Sequence, residues 1–148
     1  MKPKNTSKQY FLVLGITAWV MSFLWENLHA GLYKDFAPQM AKLAYLGCSL
    51  ADVVLVLIIW KTTAWLLHNP TWGRQATRMS YSVATIVAAT LSYFAEKTSL
   101  LLNLWRYTDK MPLVPLLGIG LSPWLAIIVI PLSSFIIADR LYLQNKLQ

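Results

Sequence analysis

Charge is what this chain has least of. Charged side chains make up 13% of its 148 residues, about half the roughly 25% of a soluble domain. Hydrophobic residues reach 57%, too many for so short a chain to hide in a core. A water-soluble domain is therefore excluded, and the mean hydropathy of +0.50 reads as a polytopic membrane protein. A single cysteine, Cys48, excludes an intrachain disulfide. Glycine-rich nucleotide loops, CxxC zinc pairs and Ser-His-Asp sets are missing, as are internal repeats. No basic run with interleaved aromatics stands clear of the apolar segments. The net charge of +7 is thus assigned to lysines and arginines flanking a membrane, with no nucleic-acid partner.

What is present is a series of four apolar runs, over about residues 9–31, 43–67, 79–103 and 116–138. At about 1.5 Å per residue, runs of this length cross a hydrocarbon layer about 30 Å thick. Lys2, Lys4 and Lys8 before the first run resemble a signal peptide. However, the stretch from Tyr10 to Gly31 exceeds the roughly 7–15 residues of a signal core and contains Trp19, Trp25 and Glu26, so it reads as a retained helix. Asp35, Pro38 and Lys42 mark the first connection. His68-Asn69-Pro70, Gly73, Arg74 and Arg78 mark the second, with Trp60, Trp65 and Trp72 in an interfacial belt. Trp105, Arg106, Tyr107, Asp109 and Lys110 mark the third.

Lysine and arginine are more frequent on the side of Lys2, Lys4, Lys8, Arg74, Arg78, Arg140 and Lys146. With the four apolar runs, this bias predicts an all-α, four-transmembrane-helix bundle with both termini in the cytoplasm, multi-pass in a cell membrane.

Carboxylates interrupt three of the runs, where an acid is costly unless paired, protonated or used. The predicted topology puts Glu26 roughly 8 Å, Asp52 roughly 14 Å and Glu96 roughly 10 Å from the outer side. Each lies on a polar stripe at helical spacing. The stripes are Ser22, Glu26, His29 and Tyr33; Tyr45, Cys48, Ser49 and Asp52; and Ser92, Glu96, Ser99 and Asn103. These faces make poor lipid contacts and are expected to turn inward around one polar pocket. Trp25 is expected in its wall. In the other half, 53–59 and 83–89 are almost wholly apolar.

The lead-in to the fourth run is rich in helix breakers: Pro112, Pro115, Gly118, Gly120 and Pro123. Irregular backbone at membrane depth must line protein or a watery cavity. Pro115 and Gly118 are therefore expected to close the pocket and offer backbone polar groups. The alternative is a long loop with a helix starting at Ser122 and Pro123 in its first turn. Pro131 is expected to kink that helix.

Two chemistries fit. Glu26, Glu96, Asp52 and His29 can act as acid–base groups on a lipid or isoprenoid, with Arg106 orienting a head group and Tyr107, Ser92, Ser99 and Asn103 in contact with it. Glu26-Asn-Leu-His29 also has the Glu-x-x-His spacing of di-iron bundles. A second such motif is lacking, because Ser99 stands three residues after Glu96. A metal is the weaker reading, and no cofactor is identified.

The motifs Trp25-Glu26-x-x-His29-x-x-Leu32-Tyr33 and Met111-Pro112-x-x-Pro115-x-x-Gly118-x-Gly120-Leu121-Ser122-Pro123, with Trp105-Arg106-Tyr107 between them, resemble those of a family of small bacterial four-helix integral membrane proteins. The likeness covers most of the chain and implies the fold without an activity. An intramembrane Glu, an aromatic loop and a Pro-rich lead-in are also similar to carotenoid hydratases and lycopene cyclase-type proteins, which act on polyene ends by acid chemistry. Three functions follow as expectations: an enzyme modifying a lipid or isoprenoid; a proton- or ion-coupled carrier, which needs a homo-oligomer because four helices are few; or a non-catalytic membrane component whose acids pair with Lys97 and Arg106.

Overall fold

Proline and threonine set where two of the helices begin. The computed structural model describes residues 6–34 and 38–144; Lys2, Lys4, Asp35 and Lys146 lie outside the described residues. Four long helices make the body: α1 (Thr6–His29), α2 (Pro38–Leu66), α3 (Arg78–Leu101) and α4 (Leu121–Gln144). Pro38 opens α2, where its missing N–H costs nothing and its fixed φ already suits a helix. The helix therefore starts before residue 43, and Lys42 belongs to it. Thr77 opens α3 through a reciprocal capping box with Ser80.

The helices α2 and α3 close in the same way. Asn69 N–H donates to the Ala64 carbonyl and His68 N–H to that of Trp65, with His68 at φ 50. Leu104 N–H donates to the Ser99 carbonyl and Asn103 N–H to that of Leu100, with Asn103 at φ 54. Both satisfy helix-end carbonyls through a left-handed residue.

In the bundle, α1 packs against α2 and α4, α3 packs against α4 and α2, and α4 also reaches α2. Three stretches are long and apolar enough to cross a membrane: Lys8–Leu32, Tyr45–Leu66 and Leu121–Tyr142. The more polar α3 is not among them. Its buried face, Ser80, Ala84, Val87, Ala88, Ser92, Glu96 and Ser99, is built mostly of small residues, which let a neighbouring helix approach closely.

Two readings of the loops are corrected. Trp72, expected in an interfacial belt, is 1% exposed. The chain after α2 folds back as a 3-10 turn, Trp72–Arg74. Trp72 Nε1 donates to the Trp60 carbonyl at 3.0 Å, and its ring meets Phe135 and Tyr81 edge-on. Trp65 stays exposed, as a belt residue would. The fourth helix starts at Leu121, not near 116, because 112–120 folds into a tight hairpin. Leu121 N–H donates to the Pro112 carbonyl at 2.7 Å and Val114 N–H to that of Ile119 at 2.8 Å, and Leu113 bridges Gly120. Leu116 and Gly118 turn it at φ 66 and φ 62. Pro123 sits in the first turn of α4, as the alternative reading had it, and Pro131 is buried inside the helix.

A two-residue antiparallel ladder ties one end of the bundle together: β1 (Tyr33–Lys34) pairs with β2 (Arg106–Tyr107), Tyr33 opposite Tyr107 and Lys34 opposite Arg106. Thr108 adds a backbone bond to the Leu32 carbonyl at 2.9 Å.

Candidate functional site

Beneath this ladder lies a cavity of about 260 Å³. Every helix contributes to its wall: Glu26 and His29 from α1; Tyr45, Cys48 and Asp52 from α2; Ser92, Glu96 and Ser99 from α3; and Pro123 and Ala126 from α4. Tyr33 and Trp105 line it from the ladder end. The three acids of the apolar runs thus share one chamber, as the helical spacing predicts.

Glu96 is the most enclosed of the three, at 5% exposure. The stretch after α3 curls back over it. Trp105 Nε1 donates to Glu96 Oε1 at 3.0 Å, and the Tyr107 hydroxyl donates to the same oxygen. That hydroxyl in turn accepts from Gly120 N–H at 2.8 Å, so the hairpin before α4 orients the tyrosine that holds the acid. Alternation along β2 turns Tyr107 inward and leaves Arg106 exposed. Burial, and after it the Glu96 carboxylate, raises the Tyr33 hydroxyl above its ordinary range. Burial and the bond to Glu96 do the same to Tyr107. Both phenols remain neutral donors near pH 7.

On the opposite wall, His29 joins two groups. Its Nε2 lies 3.2 Å from Glu26 Oε2 and its Nδ1 2.9 Å from Ser122 Oγ. The imidazole is 6% exposed and sits edge-on to Tyr33, with ring centroids 5.3 Å apart. Asp52 faces the Ser22 hydroxyl, one turn before Glu26. The described lysines and arginines are elsewhere. Lys97 donates to the Leu117 carbonyl at 3.0 Å, pinning the hairpin rather than an acid. Lys34 meets Asp109 at 3.6 Å on the surface, a contact worth little.

The other sequence-derived candidates fall outside the wall. Asn103 is exposed because it terminates α3. Pro115 and Gly118 are exposed on the hairpin, Arg106 is exposed on β2, and Tyr107 stands behind Glu96. Trp25 is half-buried beside His29, its Nε1 without a partner among the described residues. Ser122 went unrecognised, since one serine before a proline carries no signal of a histidine 93 residues away. Among the described residues no three carboxylate, imidazole or thiol groups converge closely enough to hold a metal ion. The chain matches no protein-family model, no curated protein and no solved structure.

Proposed function

We propose that this is a four-pass protein of the bacterial inner membrane, both termini cytoplasmic. Its acid-lined cavity lies in the outer half of the bilayer and takes a lipid or isoprenoid for acid–base chemistry. The observation that carries this reading is the composition of the cavity. Three acids from three helices and a buried histidine meet around it, and among the described residues the side-chain partners of Glu96 and Glu26 are Trp105, Tyr107 and His29, not lysine or arginine. Acids kept only to hold a bundle together would be matched with cations; Lys97 is spent on a carbonyl instead.

The two walls favour different roles. Two donors on one oxygen of Glu96 favour its carboxylate form, suiting it to face a developing cation. Glu26 and His29 form an adjustable couple, with Asp52 beside them as a further proton source. The looser similarity to carotenoid hydratases and lycopene cyclase-type proteins, in an intramembrane Glu, an aromatic loop and a Pro-rich lead-in, adds slight weight to a double bond as the group acted on.

Native mass spectrometry and lipid extraction of protein purified in mild detergent test this. A reproducible lipid or isoprenoid, lost in Glu26→Gln/Glu96→Gln protein that still folds, is the expected result. A ligand-free wild type, or a ligand retained by that variant, would overturn it.

A further inference from the structure

The cavity's size limits what enters it. At about 260 Å³ it falls below the roughly 300–1,000 Å³ of pockets that enclose a whole drug-sized ligand. A membrane lipid or isoprenoid is larger, so only its end fits, and the rest must lie through an opening. Among the described residues of the wall, Ala51 alone is exposed. It marks where the chamber reaches the outside.

That opening faces the side of the bundle. Ala51 lies within the apolar stretch Tyr45–Leu66, six residues or about 9 Å from Tyr45. Its neighbours Leu46, Leu50 and Val54 are exposed and apolar. Azimuth says which neighbouring helix forms the other lip. Trp60 touches Phe11 of α1, ring centroids 4.8 Å apart. Ala51 is nine positions earlier and so points about 180° away, at about 100° per residue, towards α3. There the wall carries Ala95, half-buried, beside exposed Phe94. Ala51 and Ala95 thus both line the chamber, and α2 meets α3 less extensively than it meets α1.

We propose that α2 and α3 frame a lateral portal at Ala51 and Ala95. Through it a predominantly hydrocarbon lipid with one small neutral polar or unsaturated end, such as an isoprenoid alcohol, inserts that end from the bilayer. A charged phospholipid head group is excluded, since it would have to cross apolar rims of leucine, valine and phenylalanine to arrive among carboxylates. The proposal rests on the reading of the cavity as a lipid site and adds the route and the class of molecule.

The test uses the full chain in phosphatidylcholine vesicles containing a trace of an isoprenoid alcohol with a photoreactive diazirine beside its hydroxyl. After irradiation, peptide mass spectrometry should find adducts on Tyr45, Cys48 or Ser92. Unlabelled isoprenoid alcohol should suppress them, although phosphatidylcholine is already in excess. Ala51→Trp should lose these adducts while keeping those on outward residues such as Leu12 and the wild-type melting temperature; Ala51→Ser should keep them all. Cavity adducts that persist in folded Ala51→Trp protein would overturn the portal and leave the lipid site standing. Their absence from the wild type, in vesicles and in detergent alike, would overturn both. If the Ala51→Trp variant does not fold, Ala95→Phe puts the same block on the other lip.

Discussion

Glu96 shows how a buried acid is read differently once its partners are known. Its donors are neutral, so removing its charge strands no cation. Glu96→Gln should cost about 0.5–1.5 kcal/mol, the scale of an adjusted hydrogen bond, rather than the about 3–5 kcal/mol of a broken buried ion pair. Thermal unfolding in detergent, followed by tryptophan fluorescence, decides between these, and a loss of the larger size would mean that a cation holds the acid. The tyrosines above it give a pH prediction. The folded state raises both hydroxyls above their unfolded values. Their contribution to stability is therefore intact below about pH 10 and is lost as pH rises beyond it. Tyr33→Phe and Tyr107→Phe should leave the phenolate absorbance between about pH 9 and 11 unchanged; a decrease in that window would show that the residues ionise as free tyrosines do. The acids and His29 were legible in the sequence because charge inside an apolar run has a high energetic cost. Ser122, and the aim of Trp105 and Tyr107 at Glu96, were not legible, since only the folded loop brings them there.

At the level of elements, the four helices followed from apolar runs, while the starts at Pro38 and after Thr77 are set by the folded chain. The lead-in to α4 was misread because its prolines and glycines suit a loosened helix as well as a hairpin. The deciding feature is Leu116, which occupies the left-handed region without being glycine. No propensity announces it. Its side chain is fully exposed, so Leu116→Gly should move the melting temperature little, because relief of strain, about 1 kcal/mol, offsets the added freedom of the unfolded chain. A clear fall would place that side chain against something that holds it. At the other end, Gly73 lets the 3-10 turn approach two rings. A Cβ there would meet Trp60 Nε1 at 2.5 Å and collide with the Tyr10 hydroxyl. Gly73→Ala should destabilise by about 1–3 kcal/mol, as overpacking does, read by the same unfolding assay. Trp72 was assigned to the belt for a related reason: tryptophan is at home at an interface and in a core, and only the backbone that follows α2 chooses between them.

For the whole molecule, three helices qualify as membrane spans by length and apolarity and α3 does not. Its Ser92, Glu96 and Ser99 are buried and line the cavity. Under the four-pass reading, single cysteines at Asn69 and Asn103, in a background with Cys48→Ala, should react with an impermeant maleimide from opposite sides of sealed vesicles. Reaction of both from one side would put α3 outside the set of crossing helices. Membrane class and helix number were legible from composition; the position of α4 as shared neighbour was not, because apolar periodicity names a buried face without naming what covers it. The ladder between Tyr33 and Tyr107 carries one more consequence, which concerns time. The ribosome makes β1 early and β2 only after α2 and α3. Glu26, His29 and Asp52 are thus made before the strand that closes over their cavity, and the site becomes whole only when Arg106 and Tyr107 pair with the segment that follows the first helix.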